Sequence, residues 1–176
     1  TQLNGKYFAT RGPDAFNQAA NFISNLPYLY VLEWVIIYIP LLFHGIYGVY
    51  IAFQAKNNVN RYGFFRNVMF MLQRVSGIIA LIFIAWHIWQ TRIQVIFGQV
   101  VNYDMMHNIL TNPGWLTFYI IGVLTVIFHF SNGLWSFCVS FGITVTPRSQ
   151  QILTYVTLVV FIALSYIGLR ALFAFA

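Results

Sequence analysis

A chain of 176 residues that is 60% hydrophobic, 7% charged and holds only three acidic residues cannot surround a core of its own with a polar shell. This excludes a soluble globular domain and predicts an integral membrane protein of the all-α class, a polytopic transmembrane helix bundle. The formal charge of +6 is scattered over loops, which excludes a nucleic-acid-binding patch, and the single cysteine, Cys138, excludes an internal disulfide framework or a cysteine-ligated cluster.

In chain order, the first stretch, 1–11, is polar and shows no signal-peptide pattern. Over 14–26, Phe16, Ala19, Ala20, Phe22, Ile23 and Leu26 fall at helical intervals, which predicts a short helix on the membrane surface. Four apolar segments follow, about 30–54, 70–91, 115–140 and 152–175. Each reaches the roughly 20 residues needed to cross a bilayer. Pro27 precedes the first, Pro113 and Gly114 precede the third, and Pro147 separates the third from the fourth. Trp34, Trp86, Trp89, Trp115 and Trp135 lie toward span ends, as interface anchors do. The whole chain reads as a single transmembrane domain.

Loop charge predicts the orientation. Lys56, Arg61, Arg66 and Arg74 surround the connection between the first two spans, and Arg148 lies between the last two, so these belong on the cytoplasmic side. Arg92 and Asp104, between the middle spans, and Lys6, Arg11 and Asp14 then lie outside. Because the polar start also falls outside, a further helix is expected ahead of Thr1.

Three histidines, His44, His87 and His129, sit one per apolar segment at intervals of 43 and 42 residues. Imidazole within hydrocarbon is costly and marks a functional position. One histidine per helix suggests axial ligands of haem held between helices, against the plainer alternative of hydrogen-bonded packing residues. His44 lies ten residues before Gln54 and His129 eleven before Ser140, so both are roughly 15 Å from the inner ends of their helices. They share a depth and form one axial pair. His87, four residues before Thr91, is roughly 6 Å from the outer end and needs another partner. The spacing places that partner at or just ahead of Thr1. Gly48 and Gly133 each follow a paired histidine by four residues, on the same helical face, where a flat macrocycle lies against the backbone; Gly122, seven residues before His129, extends that face. His107, in the outer loop, reads as a surface residue. Zinc is disfavoured, because separated histidines offer no closed tetrahedral set.

The stretches YFATRG (7–12), LLFHGIYGVYIAF (41–53), AKNNVNRYGFFRN (55–67), MLQRVSGIIALIFIAWH (71–87), VNYDMM (101–106), IFHFSNGLWSF (127–137), TPRSQ (146–150) and FIALSYIGLRALFAF (161–175) resemble the cytochrome b membrane-anchor subunit of succinate:menaquinone oxidoreductase, the dihaem, five-helix type of Gram-positive bacteria. The resemblance covers essentially the whole chain apart from that family's first helix. It implies two b haems stacked across a four-helix bundle in the bacterial cytoplasmic membrane. His44 and His129 match the ligands of the proximal haem, nearer the iron–sulfur subunit, and His87 matches one ligand of the distal haem. Electrons would pass from a flavoprotein subunit through the iron–sulfur subunit and the haems to menaquinone. This chain carries no flavin motif and no cysteine cluster, so it cannot oxidise succinate alone.

Within that frame, Arg74 and Ser76 at the inner end of the second span suit the proximal haem propionates, and Arg92 and Arg11 are outer candidates. Glu33, the only acid inside a span, is the quinone or proton candidate, beside the alternative of a snorkelling helix-end carboxylate. Loops 55–70 and 142–151 form the expected platform for the iron–sulfur subunit. Rival readings are the dihaem subunit of a quinol:fumarate reductase, hydrogenase or formate dehydrogenase and, from another class, a haem-free transporter or membrane scaffold.

Overall fold

The computed structural model describes residues 9–56 and 58–176, and among these all regular structure is helical. The elements are α1 (Pro13–Ser24), α2 (Leu29–Gln54), α3 (Phe65–Gln90), a 3₁₀ segment (Ile93–Phe97), α4 (Tyr103–Leu110), α5 (Pro113–Ser140) and α6 (Pro147–Phe173). Four helices, α2, α3 with its 3₁₀ extension, α5 and α6, are long and apolar enough to cross a membrane. The position expected for the partner of His87, at or ahead of Thr1, lies outside the described residues.

The helix starts follow from local chemistry. Asn112 accepts the N–H groups of Gly114 and Trp115 through Oδ1, and Pro113 takes the first helical position, where no N–H is needed. Thr146 and Ser149 form a reciprocal capping box around Pro147. Both prolines therefore open their helices instead of standing outside them, and α5 and α6 begin earlier than the apolar runs suggest. At its far end α5 closes on Gly142, whose φ of +70° lets Gly142 and Ile143 donate back to the carbonyls of Val139 and Cys138.

Within α2, Pro40 has no N–H for the carbonyl of Ile36. The residues immediately before it, Glu33–Tyr38, form a π-helical turn, a wider winding that absorbs the interruption. The connection between α3 and α5, expected to be irregular, instead contains α4, started by Asn102 accepting the N–H of Met105.

α5 is the hub, packed along both α3 and α6, while α2 leans on α3 and buries no residue of its own. Small residues set the close approaches: a Cβ on Gly45 would lie 3.0 Å from Leu81 Cδ1, and one on Gly168 2.9 Å from Val123 Cγ1. At the end of the bundle where α6 finishes, α1 and α4 fold over it. Phe16, Met106, Leu110, Tyr119, Leu172 and Phe175 are buried together there. Tyr103 donates its backbone N–H to Asn17 Oδ1 at 2.9 Å and its hydroxyl to the carbonyl of Ala174 at 2.7 Å. His107 is half-buried, not a surface residue: its Nδ1 lies 2.6 Å from the carbonyl of Phe175 and its ring stacks on Tyr103. Folding α4 back over the end of α6 is what covers it.

Candidate functional site

α2 and α5 bring the rings of His44 and His129 together edge to face, with centroids 6.1 Å apart and planes at 72°. A metal held at about 2 Å from one nitrogen of each ring sets the centroids roughly 6 Å apart. His44 is exposed on α2; His129 is half-buried against α3.

The orientation of His129 is set by α3. Its Nδ1 lies 3.1 Å from the carbonyl oxygen of Gln73 and 3.2 Å from Ser76 Oγ, and the Ser76 hydroxyl donates to the same carbonyl at 3.1 Å. A carbonyl only accepts, so Nδ1 carries the proton and Nε2 keeps its lone pair for a metal. Gly77 provides the room: a Cβ there would stand 2.9 Å from His129 Cε1. The Gln73 side chain completes a polar seam within the apolar bundle. Its Nε2 donates to the carbonyl of His129 at 3.0 Å and its Oε1 accepts from Asn132 Nδ2 at 2.8 Å.

Of the two glycines singled out beside these histidines, Gly48 has nothing within 4 Å of where a Cβ would be. Gly133 instead makes room for Gln73, whose Nε2 would lie 3.1 Å from a Cβ. Gly122 is covered by the Phe83 ring, which a Cβ would strike. Arg74 folds its guanidinium over the ring of Phe70 at 3.3 Å and donates through Nη1 to that residue's carbonyl at 3.2 Å, which leaves its Nε buried and unpaired.

His87 stands ten residues beyond Gly77 on α3, about 15 Å toward the C-terminal end of that helix. Its Nδ1 is 3.1 Å from the hydroxyl oxygen of Tyr119, which is wholly buried and donates to Gln90 Oε1 at 3.2 Å. With the hydroxyl proton directed to Gln90, the Tyr119 oxygen is able to accept from His87 Nδ1. Phe83 stacks on the ring with centroids 6.1 Å apart.

Near the same end of the bundle Glu33 meets Arg92, 59 residues away in the chain. Glu33 Oε2 accepts from Nε at 3.1 Å and from Nη2 at 2.6 Å, with both side chains largely out of solvent. Arg92 thus engages a carboxylate within its own chain.

Among the described residues no three His, Cys, Asp or Glu side chains come together as a metal cage. The donor set is instead pairwise and neutral. Two such imidazoles would suit a metal carried within its own macrocycle. Gln73, Gly77, Asn132, Tyr119 and Gln90 were not singled out from the sequence. Gln73 and Gly77 share a helical face four residues apart, a signal legible only once that face is known to meet His129.

Residues 55–168 match the family of succinate dehydrogenase/fumarate reductase transmembrane subunits. The chain belongs to that family. The match takes in α3, α5 and most of α6, with His87 and His129. The chain is also 63% identical over 168 residues to a Bacillus subtilis (strain 168) protein called succinate dehydrogenase cytochrome b558 subunit, an alignment covering 96% of this chain and 83% of that relative. No solved structure matches it significantly. Family membership and four long apolar helices make this transmembrane subunit a multi-pass membrane protein.

Proposed function

We propose that this chain is the membrane-anchor cytochrome b subunit of a bacterial succinate dehydrogenase, respiratory complex II, in the cytoplasmic membrane. It carries electrons between an iron–sulfur subunit, itself fed by a flavoprotein subunit, and menaquinone, by way of two b haems. The observation that carries this is the pair of imidazoles of His44 and His129 at iron-bracketing separation, supported by the family and by the name of the Bacillus subtilis relative.

A haem b held between two imidazoles would supply one-electron transfer. This chain's residues do the binding and orienting. His44 and His129 offer their free nitrogens to the inner-side haem. The Gln73 carbonyl and Ser76 hold the His129 tautomer, and Gly77 lets its ring lie against α3. Arg74, whose guanidinium lies over Phe70, would turn to hold a propionate. His87, locked by Tyr119, serves the outer-side haem. Glu33, paired with Arg92, is the group that exchanges a proton with menaquinone at the outer face.

The test is a reduced-minus-oxidised optical spectrum and haem stoichiometry of the purified complex. A b-type band with two haems per subunit is expected. His44→Ala and His129→Ala should each remove the same haem, with the double variant no worse than either single one. A missing b-type band, or additive losses, refutes the assignment. Glu33→Gln should slow menaquinone reduction and alter its pH profile; an unchanged rate and profile dismisses that role. The family description also names fumarate reductase, and assaying both directions on the same preparation decides which predominates.

A further inference from the structure

The three acidic residues, Asp14, Glu33 and Asp104, all lie toward the outer end of the bundle, in α1, at the start of α2 and in α4. The inner end carries Lys56, Arg61, Arg66, Arg74 and Arg148 with no acid to balance them. Arg66 differs from the rest of this cationic rim. It does not reach down from the helix ends as a docking residue would. Its guanidinium turns sideways between helices, 3.7 Å above the Trp135 ring of α5 and 5.0 Å from the Phe65 ring, and Nη2 donates to Thr154 Oγ1 of α6.

The guanidinium forms part of the wall of a cleft of about 360 Å³ where α3 and α6 begin and α5 ends. Trp135, Gln150, Gln151, Phe65 and Tyr155 also line it. Trp135 is pinned by its Nε1–H to the carbonyl of Gln150 at 3.1 Å. Among the described residues no carboxylate reaches Arg66, and Thr154 is the one hydrogen-bond acceptor it engages, out of five N–H donors it carries. Phe65 and Tyr155 are exposed on the rim, and the apolar face of α6 continues from there through the exposed Ile152, Val156 and Val159.

Helix starts, aromatic residues and a sideways-turned arginine set this cleft at headgroup level, and the excess of Lys and Arg in the flanking loops assigns it to the inner leaflet. A basic pocket between helices at that level suits a lipid headgroup. We propose that the cleft binds one anionic phospholipid. Its phosphodiester meets Arg66 and Gln151, and its acyl chains run outward along Ile152, Val156 and Val159 of α6. A free phosphate would satisfy the guanidinium but leave Phe65, Tyr155 and the α6 face uncovered, so the lipid is the better fit. The proposal rests on charge, depth and shape and is independent of haem binding.

The test is native mass spectrometry of the intact complex in neutral detergent, titrated with phosphatidylglycerol or with phosphatidylcholine. Preferential retention of one phosphatidylglycerol is expected. Arg66→Gln should weaken it by about fivefold or more, the effect of removing one basic residue near an anionic headgroup. Gln151→Glu leaves Arg66 and its contacts in place but sets a carboxylate in the cleft, and should weaken retention comparably. Equal retention of the two lipids overturns the proposal, as does wild-type retention in Gln151→Glu. Displacement of the lipid by equimolar inorganic phosphate also overturns it, and so does a photocrosslinker at position 151 that captures a protein subunit in place of lipid.

Discussion

Gly77 and His129 meet across the α3–α5 interface so closely that any side chain at position 77 intrudes on the imidazole: a Cβ would stand 2.9 Å from Cε1. The ring cannot simply slide away, because Nδ1 is held by the Gln73 carbonyl and Ser76. Gly77→Ala should therefore tilt the ring off its preferred geometry, at a cost of about 1 kcal/mol, roughly fivefold in haem retention. The check is haem loss to an apo-acceptor protein together with the low-spin electron paramagnetic resonance signal of the inner-side haem. An unchanged signal would show that the ring has slack.

The Tyr119 hydroxyl links His87 to Gln90: its oxygen lies 3.1 Å from His87 Nδ1 and it donates to Gln90 Oε1 at 3.2 Å. Tyr119→Phe removes the acceptor with little change in volume. Outer-shell hydrogen bonds of this kind raise ligand basicity and contribute about ten- to a hundredfold in metal affinity. The variant should raise the midpoint potential of the outer-side haem and leave the inner-side one unchanged, as read by a redox titration that resolves the two.

Gln73 separates side-chain from main-chain roles. Its backbone carbonyl holds the His129 tautomer, while its amide pairs with the His129 carbonyl and with Asn132. Gln73→Leu keeps the first function and deletes the second, leaving Asn132 with the Met69 carbonyl alone. Thermal unfolding in detergent should show a loss of about 1–3 kcal/mol, the cost of stranding buried polar partners, with the haem spectrum preserved. Spectral loss in step with unfolding would mean that the amide also positions the ligand.

The Glu33–Arg92 pair is 16% and 25% exposed, respectively, so each charge relies on the other. Breaking such a pair from one side is worse than removing both, and a single replacement of a largely buried partner costs about 3 kcal/mol before allowance for residual solvent. Glu33→Gln and Arg92→Gln should each lower the unfolding temperature, and the double variant should recover part of the loss. Strict additivity would indicate that the two act independently.

The hydrophobic runs and their flanking prolines were legible in the sequence because they are local properties of the chain. So was the shared depth of His44 and His129, since rise per residue converts position into depth once the direction of each span is known. Gly122 shows where that logic stops. Its face is correct for a position seven residues before His129, yet Phe83 of α3 occupies it, because helix rotation about its axis is set by neighbours and not by its own sequence.

Composition, apolar length and charge bias by themselves determined a membrane bundle, its spans and the histidines worth watching, because the cost of polar groups in hydrocarbon is levied residue by residue. Only the tertiary structure decided which groups hold those histidines and where the charges go. The Gln73 carbonyl on His129, Tyr119 on His87, Glu33 on Arg92 and Arg66 against Trp135 each join groups 32 to 69 residues apart. Such pairs exist only when rigid helices settle at one depth and rotation. Small residues such as Gly45, Gly77 and Gly168 fix that arrangement by how closely they let the backbones approach.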